Sequence, residues 1–153
     1  MSDDPVMVER WSTMTGVHRR IEARVEHDLR RRVGLGSREF CALGELRRRT
    51  RTREGAPHLG GLADAVGLSP SATSRLVARL HDQGLITLRT ARGDRRSVEL
   101  ELTGAAHDIL RIGTAVLHQA VRDAVGQLGA EGADGHLLRY LRGESPGTGT
   151  SSG

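Results

Sequence analysis

With 153 residues, the chain has room for one hydrophobic core, so we expect a single domain with short tails. Its formal net charge is +4, and all 23 of its Lys and Arg residues are arginines. The chain has one tryptophan, one tyrosine and one phenylalanine. These are too few rings for a fold that binds single-stranded nucleic acid by stacking bases on aromatic side chains.

The sequence also argues against a membrane protein and against a disulfide-stabilised one. No apolar run approaches the ~20 residues of a membrane-spanning helix, and the acidic N-terminus lacks the apolar region of a signal peptide, so we expect a cytoplasmic protein. Cys41 is the single cysteine, which excludes an intramolecular disulfide and a CxxC motif. We expect Cys41 to be a small buried residue on a helix, with a redox-sensing thiol as the alternative.

A long amphipathic helix is the first predicted element. Between Val8 and Val33, apolar residues recur at intervals of three and four, the period of an α-helix. The sequence "GLGS" at 34–37 ends this helix, and Ser37 is the expected N-cap of a second helix that extends to about Thr52. The basic run "RRRTRTREGAP" is typical of a solvated helix end, with contact to a DNA backbone as the alternative.

The segment "HLGGLADAVGLSPSATSRLVARLHDQGL" predicts two short helices joined by a sharp turn. Ala63 is small enough to let the helices approach closely, and Gly67 tolerates the positive φ of a tight turn. Ser69 followed by Pro70 is typical of an N-cap and a first helical position, so the second helix is predicted at about 69–83. The pattern is that of a helix-turn-helix.

The second helix of this motif has two distinct predicted faces. Helical spacing places one set inward: Ala72, Thr73, Leu76, Val77 and Leu80. The outward set combines short side chains with arginine, which suits a surface that lies close to DNA: Ser71, Ser74, Arg75, Ala78 and Arg79.

A two-stranded hairpin is predicted next, at about 85–102. "LITL" and "SVELEL" alternate apolar and polar residues, and the residues between them are loop-like. Thr103 is the expected N-cap of a long helix whose apolar stripe continues to about Leu128. "HLLRYL" predicts a short last helix, and residues 143–153 a flexible tail.

These elements predict four segments. They are an N-terminal dimerisation helix at 1–36, a winged helix-turn-helix lobe at 37–103, C-terminal dimerisation helices at 104–142 and the tail. The two end helices carry more apolar surface than so small a lobe can cover. We therefore expect a second copy of the chain to cover it, with Trp11 in the core of that dimer.

The sequence resembles the MarR family of winged-helix transcription regulators. The residues that carry the resemblance are "LADAVGLSPSATSRLVARLHDQGLI", then "RGDRRSVELELT", then the long apolar helix. The resemblance implies a mainly α fold with a small β-hairpin wing, dimerised through its N- and C-terminal helices. It also implies that the second helix of the motif enters the major groove, while Arg96 at the wing tip, oriented by Asp94, enters the minor groove.

The candidate DNA-binding residues lie on this helix and on the wing. Thr73 is an open case, since it fits either the core or a contact. The full set is Ser69, Ser71, Thr73, Ser74, Arg75, Arg79, Arg92, Asp94, Arg95 and Arg96.

The function that the resemblance implies is transcription regulation by a homodimer that binds a near-palindromic double-stranded DNA operator, as a repressor more often than an activator. The family often responds to a small anionic or aromatic effector, and no cofactor is expected. The alternatives are a winged-helix protein-interaction module that does not bind specific DNA, and a redox-sensing regulator that uses Cys41. An enzyme is not expected, because the sequence has no nucleophile–base pattern, phosphate-binding loop or metal-ligand spacing.

Overall fold

The computed structural model describes residues 5–52, 58–90 and 98–144. Six helices and one two-stranded antiparallel sheet form this part of the chain, so the mainly helical fold with a hairpin wing is confirmed. In chain order the elements are α1 (Pro5–Val33), α2 (Ser37–Thr52), α3 (Leu59–Val66), α4 (Pro70–Asp82), β1 (Ile86–Thr90), β2 (Val98–Leu102), α5 (Gly104–Ala130) and α6 (Gly135–Leu141).

The start of α2 differs from the prediction that Ser37 would be its N-cap. The carbonyl of Gly36 accepts from the N–H of Phe40 at 3.0 Å, and Oε2 of Glu39 accepts from the N–H of Gly36 at 2.9 Å. Gly36 is therefore the N-cap residue, and the side chain of Glu39, three residues later, accepts from its N–H as in a capping box. Ser37 is instead the first residue of α2 and is bound to α1: its N–H donates to Glu26 at 2.6 Å and its hydroxyl donates to Glu22.

The helix-turn-helix has the predicted geometry. Gly67 ends α3 in the left-handed region at φ +66°, where a side chain would be strained. The hydroxyl of Ser69 accepts from the N–H of Ala72 at 3.2 Å, and Pro70 occupies the first position of α4. Gly84, at φ +71°, leads from α4 into the hairpin.

The hairpin follows α4 directly and is also bridged to the residue before α3. β1 and β2 pair in register from Ile86 opposite Leu102 to Thr90 opposite Val98. An isolated bridge between His58 and Glu99 joins β2 to the residue before α3. The base of the wing is therefore fixed against the lobe.

Two apolar clusters hold the helices together. The larger one joins α1 and α5 to the lobe, with Leu29, Leu43, Leu76 and Leu110 almost fully buried. The smaller one joins the first half of α1 to the end of α5 and to α6: Val17, Val125, Leu128 and Leu138. The described residues contain no helix that is both long enough and apolar enough to span a membrane.

Candidate nucleic-acid interface

Both faces of α4 are as predicted. Leu76, Val77 and Leu80 are buried in the lobe, and Ala72 is half-buried. The opposite face is open to solvent: Ser71, Ser74, Arg75, Ala78 and Arg79. Since the apolar side is used by the core, this face of α4 presents small and cationic side chains to a partner, and the exposed carboxylate of Asp82 lies at the end of the helix.

Thr73 belongs to the core and not to this exposed face. It is 0% exposed, and its hydroxyl donates to the carbonyl of Ser69 at 2.9 Å. Its inclusion among the DNA-binding residues was therefore wrong. The hydroxyl is satisfied by the preceding turn while the methyl packs inward, which is why threonine suits this buried position.

The two arginines of the exposed face differ in their surroundings. Arg79 donates from Nε to Oε1 of Glu39 on α2, at 3.2 Å. Arg75 forms no ion pair with any residue that the structure describes. Sequence reasoning missed Glu39. The only local signal for it was the Gly36-x-x-Glu39 spacing, which is that of a reciprocal cap.

The two strands of the wing are joined by an ion pair as well as by backbone pairing. Arg89 on β1 pairs with Glu101 on β2, at 3.1 Å. The tip residues predicted to contact DNA lie outside the described residues: Arg92, Asp94, Arg95 and Arg96.

The basic end of α2 is partly neutralised by its own helix. Arg48 and Arg49 both donate to Glu45, at 2.9 and 2.8 Å respectively. These hydrogen bonds and the two positive charges lower the pKa of Glu45 to about 2. Arg49 also donates to the carbonyl of Gly61 at 3.1 Å, so it ties α2 to α3. Arg49 therefore has a structural role in positioning the helix-turn-helix.

Comparison with known proteins gives a sequence match and a set of similar folds. The MarR family model matches residues 33–97, which span α2 to the wing. Residues 33–97 are therefore similar in sequence to the MarR family. No sequence match is found among curated proteins.

Solved MarR-type structures share the fold over almost the whole chain. A MarR transcription factor from Planctomyces limnophilus is 24% identical, with a TM-score of 0.69 over 94% of this chain and 100% of that one. Sco3205, a MarR family regulator from Streptomyces coelicolor solved in complex with DNA, is 20% identical, with a TM-score of 0.68 over 97% and 91%. Bordetella bronchiseptica BpsR, whose DNA binding is regulated by 6-hydroxynicotinic acid, is 18% identical, with a TM-score of 0.65 over 96% of both chains.

Cys41 is exposed in this MarR-type fold, so the prediction of a buried residue was wrong. It faces away from the core because Phe40, Ala42 and Leu43 fill the inner side of α2. Partial shielding of the sulfur from water and the negative charge of Glu22 raise the pKa of the Cys41 thiol. A raised pKa lowers the thiolate fraction at neutral pH, which disfavours the redox-sensing alternative.

A metal site and a ligand-binding groove are two further kinds of candidate site. The described residues contain no group of three or more His, Cys, Asp or Glu side chains that could hold a metal ion. A groove of about 540 Å³ lies between α1 and α5. Its lining combines four arginines and one carboxylate with polar and apolar side chains: Arg24, Asp28, Arg31, Arg32, Arg111, Ile112, Ala115, Val116 and Gln119.

Proposed function

We propose that this chain is a sequence-specific transcription regulator that binds double-stranded DNA as a homodimer. The observation that carries the proposal is the exposed face of α4, where short hydroxyl side chains stand beside arginine and every large apolar side chain points inward. A helix enters the major groove with its N-terminal residues nearest the base edges. Ser71, Ser74 and Arg75 hold those positions here, and Ser69 caps the same end.

The chemistry of this face favours DNA over a protein partner. Protein interfaces depend on central aromatic or large apolar anchors, and Ala78 is the one apolar residue among the exposed residues of α4 given above. Arginine can instead pair with two acceptors on a guanine edge or with a phosphate. The protein-interaction alternative therefore lacks the anchor that it needs on this helix.

The homodimer is proposed from the apolar surface at the two ends of the chain. Large apolar side chains are exposed along the first turns of α1 and on α6: Val6, Met7, Val8, Trp11, Met14, Tyr140 and Leu141. A second copy would cover this surface and would present two α4 helices to half-sites about 34–36 Å apart, which requires a near-palindromic operator.

The wing completes the proposed DNA contacts. Arg96 is assigned to the minor groove, with Asp94 as its orienting partner and Arg92 and Arg95 beside it, because the "RGDRR" sequence resembles the wing tip of the MarR family. The paired strands β1 and β2 fix the base of this tip against the lobe.

Selection of bound sequences from a random DNA library with the purified full-length protein tests the proposal. We expect one near-palindromic sequence to be enriched, with half-sites one helical turn apart. Binding to it should weaken as salt rises, because phosphate contacts release counterions. Enrichment of no sequence, or binding that does not depend on salt, would exclude the proposed function.

Substitutions of Arg75 and Arg96 test which of the two arginines sets sequence preference and which sets affinity. Arg75→Ala is expected to change the preferred base at one position of each half-site, at a cost of about 1–3 kcal/mol for the original sequence. Arg96→Ala is expected to weaken binding strongly while the protein remains folded and dimeric. Arg122→Ala removes the same charge from an exposed position of α5 and serves as the control. If Arg75→Ala weakened binding equally for all sequences, Arg75 would not read bases.

Repression with release by an effector is the regulatory mode that we propose. A dimer that spans about two turns of duplex excludes other proteins from that stretch. The groove between α1 and α5 combines guanidinium groups with the apolar side chains of Ile112 and Val116, which suits an anionic ligand with an apolar body. Calorimetric titration with benzoate, with and without operator, tests this. By linkage, an effector that releases DNA must bind the DNA complex more weakly than the free protein.

A further inference from the structure

An ion pair joins the exposed face of α4 to the start of α2. Nε of Arg79 lies 3.2 Å from Oε1 of Glu39, and the two residues are 40 positions apart in the chain. The side chain of Arg79 is 59% exposed, whereas that of Glu39 is 11% exposed. The cation is therefore at the surface and the anion is beneath it.

Glu39 is held in place by the backbone of its own helix. Its second carboxylate oxygen accepts from the N–H of Gly36 at 2.9 Å, in the first turn of α2. The unpaired N–H groups and the positive end of the helix dipole stabilise a carboxylate at this position. Glu39 thus has one oxygen bound to the helix start and the other directed at Arg79.

The segment that carries Glu39 is also fastened to α1. The N–H of Ser37 donates to Glu26, and the hydroxyl of Ser37 donates to Glu22. The hydrogen bond from Ser37 lowers the pKa of Glu26, so this anchor is ionised at neutral pH. Glu39 therefore belongs to a rigid junction of two helices, which gives Arg79 a fixed partner.

The geometry of the pair leaves part of Arg79 available. The guanidinium has five N–H donors, and Glu39 takes the one on Nε. Nη1 and Nη2 form no hydrogen bond with the residues that the structure describes. These two nitrogens form the planar fork that matches two oxygens of a phosphate. Arg79 also lies in the second half of α4, farther from the base edges than Arg75.

We propose that Glu39 is a positioning residue for DNA binding, which holds Arg79 by Nε so that Nη1 and Nη2 face a backbone phosphate. This inference rests on the proposed function, since it needs DNA on the exposed face of α4. It assigns Arg79 to affinity and Arg75 to sequence preference.

A double-mutant cycle on the full-length protein tests this assignment. Wild type, Glu39→Gln, Arg79→Ala and the double variant are titrated with the selected operator by fluorescence anisotropy, at several salt concentrations. Glutamine retains an oxygen that can accept from Gly36, so the helix cap is preserved while the charge is lost. Glu131→Gln is the matched control, because it breaks another Arg–Glu pair between helices, at Arg20 and away from α4.

Arg79→Ala is expected to weaken operator binding at least about tenfold and to reduce the salt slope by about 0.9 for each subunit, which is the loss of one phosphate contact. Glu39→Gln is expected to weaken binding roughly three- to tenfold when Arg79 is present and to have no effect in the Arg79→Ala background. A folded fraction that is the same at each salt concentration lowers the apparent affinity by the same factor throughout. The slope of affinity against salt therefore remains informative for a less stable variant. Glu131→Gln should bind as wild type does.

Two outcomes would overturn the inference while leaving the proposed function intact. In the first, Glu39→Gln binds as tightly as wild type or more tightly, because loss of a negative charge near DNA outweighs any positioning. In the second, the effects of the two substitutions add, so that Glu39 acts independently of Arg79. A wild-type protein that selects no operator would instead contradict the proposed function itself.

Discussion

The exposed face of α4 and the first turns of α1 are both open to solvent, but they carry opposite chemistry. On α4, Leu76 and Leu80 are buried by the lobe, and the side chains of the exposed face described above are small or cationic. On α1, Met7 and Trp11 are 68% and 61% exposed. A polyanion is the natural partner of the first surface and an apolar protein surface that of the second. The faces that the core covers thus differ between the two helices, and this difference would separate the proposed DNA-binding surface from the proposed dimer surface.

The largest expected effect is that of the double substitution Trp11→Glu with Met14→Glu on the proposed dimer. It places charges in the proposed dimer interface, so the dimer dissociation constant should rise by at least about 100-fold. Sedimentation equilibrium measures this directly. Val98→Glu is the control, because Val98 is also exposed, at 44%, but lies on the wing. Equal dissociation constants for wild type and the double variant would show that the first turns of α1 are not the interface.

Gly113→Ala tests the packing of α5 against α2, which joins the C-terminal helices to the lobe that carries α4. A Cβ on Gly113 of α5 would overlap the ring of Phe40 from α2. We therefore expect a loss of about 1–3 kcal/mol in the free energy of unfolding, measured by urea denaturation. The matched control is Gly126→Ala on the same helix, where a Cβ meets nothing within 4 Å. It should stabilise the protein by about 0.5–1 kcal/mol. A stabilising Gly113→Ala would mean that α2 and α5 are not closely packed.

The smallest predicted effect is on stability and concerns Glu45, which lies in the lobe and in neither of the two compared surfaces. Its pKa falls to about 2 in the folded state, from 4.5. The folded state thus binds a proton more weakly than the unfolded chain, so the contribution to stability is complete above about pH 5 and is lost as the pH falls towards 2. Because Arg48 is largely exposed, we expect this contribution to be at most about 1 kcal/mol.

Thermal unfolding of wild type and Glu45→Gln across this pH range measures the contribution. The difference in melting temperature should be present at pH 7 and should disappear near pH 2. Asp64→Asn, on the exposed side of α3, controls for the loss of one carboxylate. A difference that stayed constant with pH would contradict the pairing of Glu45 with Arg48 and Arg49.

The sequence predicted the elements well because their signals are local. The three- and four-residue period located α1, α2 and α5 to within a few residues, and Ser69 and Thr103 cap the predicted helices. The faces of α4 followed from the same period. Each of these features depends on residues that are at most a few turns apart, so the pattern was legible in the chain.

The errors arose where a distant residue decided the outcome. Ser37 looked like an N-cap, but α1 residues 15 and 11 positions earlier take its hydroxyl and its N–H. Cys41 looked buried because cysteine often is, yet Phe40 and Leu43 occupy the inner side of α2. Thr73 was open between core and contact until the burial of α4 placed it in the core.

By itself the sequence determined a winged helix-turn-helix with a polar, arginine-bearing helix face and apolar end helices, because periodicity, caps and turn glycines act within a few residues. Only the tertiary structure decided which arginine of that face has a partner. Glu39 meets Arg79 across 40 residues of chain, and Phe40 meets Gly113 across a longer separation still. Such contacts depend on how the helices pack together, which no local pattern encodes.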